Sequence, residues 1–254
     1  MTGIILRRLC SMLVVLLVMT GGTFLLMQLS PVDPVALHFV MMGVPADPQL
    51  VAEFRAELGL DQPLIVQYVH WLRGILSGDL GYSIAYGVPV ADLVRDALPR
   101  TLELAGLSVL FAAVIVFPLG LLAFYRHGKW ADHAVRIVSF FGISLPTFWV
   151  GLLLILLFSV HLRLVPVTAT DGLRSMVLPA VSLAVWIAGL YIRRLRNALL
   201  EEGGKNYVMG AQALGLPKRI VLWRYIMPNA LTGLVPMIGI TLGNILGGSA
   251  VIET

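Results

Sequence analysis

The sequence predicts an all-α fold, a polytopic bundle of membrane helices, on three observations. Hydrophobic residues make up 58% of the chain and charged residues only 13%. With a mean hydropathy of +0.90, a water-soluble domain of this size would leave much apolar surface exposed. Five apolar runs, at 9–29, 101–124, 137–162, 176–192 and 229–252, meet or approach the roughly 20 residues that a helix needs to cross a bilayer core of about 30 Å. The polar stretches between them carry their basic residues unequally, which gives the bundle a direction.

The first run follows Arg7 and Arg8 and resembles a signal peptide in outline. It is longer than the apolar part of such a peptide, and Gln28-Leu29-Ser30-Pro31 is not a small-residue cleavage site, so an uncleaved span is expected. The N-terminus, the 125–136 stretch and the 193–228 stretch together hold twelve of the eighteen Lys and Arg residues. By the positive-inside rule they form the cytoplasmic side. Three regions follow: a cytoplasmic N-terminus and first span at 1–29, an external helical region at 30–100, and a core at 101–254 with spans two to five.

In the external region, Asp47-Pro48 reads as an N-cap followed by proline at the first helical position. Leu50, Val51, Phe54 and Leu58 share one face and Gly59 ends the helix. A second amphipathic helix starts near Pro63 and is expected to bury Leu64, Tyr68, Trp71, Leu72 and Ile75. These helices either pack on the membrane domain or form a platform for an external solute-delivery protein, and both readings stand open.

Pro146 in the third run and Pro236 in the fifth remove backbone donors within apolar segments, which predicts a kink at each. The fifth run also spaces Gly239, Gly243 and Gly247 four residues apart, leaving one helical face nearly bare. That face packs either inside this chain or against a second membrane subunit around a shared path.

Between runs four and five, at about 204–228, the chain turns polar. Asn206 can cap a short helix through Tyr207, Val208, Ala211 and Leu214, ended by Gly215 in the left-handed conformation, with a second helix from Pro217. Such a helix can insert into a groove on a partner protein or lie on lipid headgroups near Arg193, Arg194 and Arg196.

Several classes lose their basis. The single cysteine, Cys10, excludes an intrachain disulfide. Dispersed basic residues argue against a nucleic-acid surface despite a pI near 9.5. An ion-coupled secondary transporter would usually carry an ionisable group in mid-span, and none of the runs does. His-Glu-x-x-His, Gly-x-Ser-x-Gly and phosphate-loop patterns are all missing from the sequence, so any nucleotide is handled by another chain. His38 with Met41 and Met42 has a spacing that could present imidazole and thioether together to a metal, although surface or packing is the commoner role. His127 and His133 read as solvated.

The stretch Asn206-Tyr207-Val208-Met209-Gly210-Ala211-Gln212-Ala213-Leu214-Gly215-Leu216, continuing to Met227-Pro228-Asn229-Ala230, resembles the EAA loop of ABC importer permeases. That family's pattern is Glu-Ala-Ala, three residues, Gly, nine residues, then Ile-x-Leu-Pro. Ala211, Gly215 and Pro228 match it, whereas Met209 and Gly210 stand for its Glu and first Ala, and Tyr225 and Met227 for its Ile and Leu. Leu58-Gly59-Leu60-Asp61-Gln62-Pro63, Gly78-Asp79-Leu80-Gly81-Tyr82-Ser83, Gly142-Ile143-Ser144-Leu145-Pro146-Thr147-Phe148-Trp149 and Leu178-Pro179-Ala180 resemble its dipeptide, oligopeptide and nickel branch.

The resemblance implies a type I ABC importer permease in the bacterial or archaeal cytoplasmic membrane. Its partners would be a second homologous permease, two ABC ATPase subunits that bind ATP and Mg, and an external solute-binding protein. The chain itself would bind no cofactor and catalyse no reaction. Asn206, Tyr207, Val208, Ala211, Leu214, Gly215 and Pro228 would couple it to the ATPases. A sixth span is also implied, so a sequence stopping just after Ala250-Val251-Ile252 reads as cut short. Thr101-Leu102-Glu103-Leu104-Ala105-Gly106 inclines the substrate from dipeptide slightly toward nickel or a nickel chelate.

Overall fold

The computed structural model describes residues 2–29, 33–43, 47–83, 86–165 and 173–248. They form two compact units, residues 1–97 and 98–254. Among the described residues, three helices are long and apolar enough to cross a membrane, or up to five if each of two bent helix pairs counts as one span.

In the first unit, α1 (Thr2–Gln28) exposes apolar side chains all round, from Ile4 to Leu26. This suits a lipid solvent and not water. α2 (Pro34–Met41) and α3 (Pro48–Glu57) each begin at an aspartate whose carboxylate accepts from a backbone N–H, Asp33 from Val35 and Asp47 from Gln49. Proline follows each cap where its missing donor costs nothing. Arg55 pairs with Asp33, and Phe54 stacks on His38 at 5.4 Å. Gly59, at φ +64°, follows α3 as the sequence requires.

α4 (Leu64–Ser77) lies against α1 through Tyr68, which bonds Thr20 Oγ1 at 2.9 Å and meets Phe24 edge-on. Tyr68, Leu72 and Ile75 are half-buried, but Leu64 and Trp71, expected to be buried, are exposed. No residue of α4 is fully buried, so its covered stripe is narrower than the sequence suggested. A short antiparallel hairpin, β1 (Tyr82–Ser83) with β2 (Val88–Pro89), leads into α5 and gave no signal in the sequence.

The second unit is built on α5 (Val90–Tyr125), which enters it at Leu98, and α8 (Leu173–Gly203). Both outrun their apolar segments. α8 continues eleven residues past the expected end at 192, because Arg, Leu, Ala and Glu all favour helix and the arginines find solvent or a carboxylate. The third run is not one straight span: α6 (Trp130–Ser144) and α7 (Thr147–Leu154), extended by a π-helical turn (Ile155–His161), meet at 100°. Pro146 holds Leu145 at φ −82°, ψ 130°, outside the helical region, so α6 stops there. α9 (Asn206–Ala213) follows α8. Then α10 (Lys218–Ile220), a π-helical turn (Val221–Ile226) and α11 (Met227–Thr232) run into α12 (Val235–Gly248) through a 49° bend. Pro236 sits in the first turn of α12, just past this bend, where its missing N–H costs no helical bond.

The core joins α5, α6, α8 and α11 through small residues. A Cβ placed at Gly189 would lie 2.8 Å from the Ser139 carbonyl oxygen and 3.0 Å from the Gly142 carbonyl carbon, so α6 and α8 cross with backbones nearly touching. Gly120 on α5 likewise makes room for Leu195. Gly189→Leu is expected to push these helices apart and to destabilise the chain by about 2–3 kcal/mol. Gly210→Ala, facing open space on α9, should be neutral or slightly stabilising. Thermal unfolding of the two purified variants distinguishes these outcomes.

Candidate coupling site

Two polar clusters and one short helix mark the basic end of the second unit. α9 is an eight-residue helix fixed at both ends and on one face. Val208 is fully buried and Ala211 nearly so, packed into the hydrophobic core. Beyond Ala213, Gly215 adopts φ +79°; its N–H reaches the Gln212 carbonyl at 2.9 Å and the Leu216 N–H reaches that of Ala211 at 3.3 Å. This paired arrangement satisfies the last carbonyls and stops the helix abruptly. Asn206 is not the cap the sequence suggested. Lys205 occupies that position without a side-chain capping bond, and Asn206 is the first helical residue.

A network of side chains fastens the start of α9 to its neighbours. The Tyr207 hydroxyl donates to Glu202 Oε2 at 2.7 Å and receives Asn229 Nδ2 at 3.2 Å, while Asn229 also donates to the Tyr225 carbonyl at 2.7 Å. Lys205 pairs with the same Glu202 carboxylate. Donation to Glu202 raises the Tyr207 phenol above its ordinary value, and the Glu202 partnership likewise raises the Lys205 ammonium, so both stay protonated. Glu202 is thus turned toward its own chain. The helix presents Asn206, Met209, Gly210 and Ala213 outward, with Leu214 83% exposed at its end. Pro228 is exposed at the first turn of α11, beside Asn229.

The second cluster was not legible beforehand. Asp132, only 1% exposed, accepts two bonds from Arg196, from Nε to Oδ1 and from Nη2 to Oδ2, each at 2.6 Å. It also accepts the Gly128 N–H at 3.0 Å. Arg196 Nη2 further donates to His127 Nδ1 at 2.9 Å, so His127, expected to be simply solvated, belongs to this cluster even though its side chain is 58% exposed. The one available signal was that Asp132 is the only acid in the basic 125–136 stretch. Its partner, 64 residues away, could not be read.

The remaining candidates divide. Cβ atoms placed at Gly239, Gly243 and Gly247 would meet no atom of the chain within 4 Å, so the bare face of α12 is unoccupied by the described residues. Pro146 and Pro236 stand at helix starts, beside the two bends. No group of three His, Cys, Asp or Glu residues able to hold a metal occurs among the described residues. His38 is engaged with Phe54, Met42 is exposed, and the Met41 side chain lies outside the described residues.

A family model described as "Binding-protein-dependent transport system inner membrane component" matches residues 116–254, and the model of its N-terminal region matches residues 1–105. The chain is 37% identical to the probable D,D-dipeptide transport system permease protein DdpB of Escherichia coli K12, over 98% of this chain and 82% of that protein. It is 36% identical to a putative peptide transport system permease protein of Brucella abortus, over 100% of this chain and 82% of that protein. It is 32% identical to the metal-staphylopine import system permease protein CntB of Staphylococcus aureus NCTC 8325, over 98% of this chain and 80% of that protein.

Proposed function

The chain belongs to the binding-protein-dependent transport system inner membrane components, the permease subunits of ABC importers, and from that premise we propose that it moves short peptides or peptide-like metal chelates inward. It is a multi-pass inner-membrane protein, and ATPase and solute-binding subunits accompany permeases of this kind. In our reading the N-terminus and α9 face the cytoplasm, two ATPases bind ATP and Mg there, and a second permease completes the path.

The observation that carries the coupling role is the anchoring of α9. Val208 and Ala211 hold one face in the core, Glu202, Tyr207 and Asn229 tie its start to α8 and α11, and the opposite face is open. A rigid element with a free face transmits a push from a bound protein to the spans beside it. The cargo range follows the names of the relatives, two for peptides and one for a metal chelate. Nickel enters this reading as such a chelate.

Copurification followed by uptake into vesicles tests the proposal. The tagged chain should bring ATPase subunits with it, and labelled dipeptide or metal chelate should accumulate only with ATP and a binding protein. Accumulation driven by a proton gradient without ATP would restore the ion-coupled transporter.

A further inference from the structure

A cavity of about 590 Å³ opens between α6 and α8, lined by His133, Arg136, Ile137, Phe140, Arg193, Arg196 and Asn197. We propose that it holds the phosphate of an anionic phospholipid headgroup. The inference rests on the membrane reading of the spans and not on the identity of the cargo.

Charge comes first. Among the described residues no acid lines the cavity, and Arg196 is already neutralised by Asp132. Arg136 and Arg193 are exposed and have no carboxylate partner among the described residues. Two unpaired guanidinium groups converging on one space suit a phosphate, whose oxygens they can grip in pairs.

Depth is the second argument. α6 and α8 run antiparallel here, with Asp132 level with Arg196. Arg136 and Arg193 therefore lie one turn further along, away from the helix ends. Phe140 lies about 6 Å beyond Arg136 on α6, and it and Ile137 are 61% and 58% exposed. The cavity thus passes from polar through cationic to apolar along one direction. A free anion has no use for the apolar part, whereas a phospholipid has a headgroup, a phosphate and acyl chains in that order.

The test uses the full chain purified with its copurifying subunits, titrated with phosphatidylglycerol or phosphatidylcholine and read by native mass spectrometry. Phosphatidylglycerol should be retained preferentially, and R136Q or R193Q should each reduce that retention about fivefold, while the double variant loses the preference. R7Q/R8Q, with the same loss of charge in α1, should keep it. Either single variant carries the test if the double fails to fold. Equal loss in R7Q/R8Q would mean general electrostatics and overturn the proposal. Displacement of the lipid by inorganic phosphate at matched concentration would make this a free-anion site and also overturn it. Loss of the ATPase subunits with lipid retention unchanged would assign the arginines to a protein partner instead.

Discussion

Asp132→Ala is expected to destabilise the chain by about 3–5 kcal/mol, the usual consequence of leaving one half of a buried ion pair uncompensated. Arg196 would keep its charge with a side chain only 12% exposed and lose both carboxylate bonds. The Gly128 N–H at the α5–α6 turn would lose its acceptor as well. Thermal unfolding in detergent and the folded yield in membranes both measure the effect. The pairing makes a sharper demand: D132L/R196M, which removes both charges, should be more stable than D132A alone. If D132A matches the wild type, the pair does not hold α6 to α8.

Inserting two residues after Gly215 should cut solute uptake about tenfold or more while leaving ATP hydrolysis by the assembled transporter largely intact. Gly215 and Leu216 return their N–H groups to Gln212 and Ala211, and Pro217 starts the next helix at once, so little slack separates α9 from α10. An insertion removes the short covalent link to the π-helical turn and α11, leaving α9 joined to them only through its buried face and the Tyr207–Asn229 bond. Parallel ATPase and uptake measurements in proteoliposomes are needed, since equal loss of both would indicate failed assembly and not uncoupling. Uptake at the wild-type level would remove the coupling role.

How far the sequence could be read depended on the range of each interaction. Asp47-Pro48 and Gly59 bound α3 as read, because an N-cap, a first-turn proline and a left-handed glycine act within a few residues. The left-handed Gly215 likewise ends α9 through bonds to residues at most five away. By contrast, Asn206 resembled a cap by residue type, yet the chain leaving α8 at Gly203 and Gly204 puts Lys205 in that position. Pro146 was legible as a kink in the third run because a proline acts on the residue before it, but the size of the bend, 100°, was not, since hydropathy ignores direction.

The sequence by itself determined the solvent of this protein, the approximate positions of its spans, and the short element at 206–216 together with its family. The first two follow from local hydropathy and the short element from bonds between near neighbours, while the family came from the motifs it resembles. Tertiary structure alone decided that Asp132 neutralises Arg196, that Tyr207 joins Glu202 to Asn229, and that Gly189 lets two backbones meet. Each of those contacts needs two distant segments to be brought within a few ångströms. What brings them there is the packing of whole helices, for which no single stretch of residues carries the instruction.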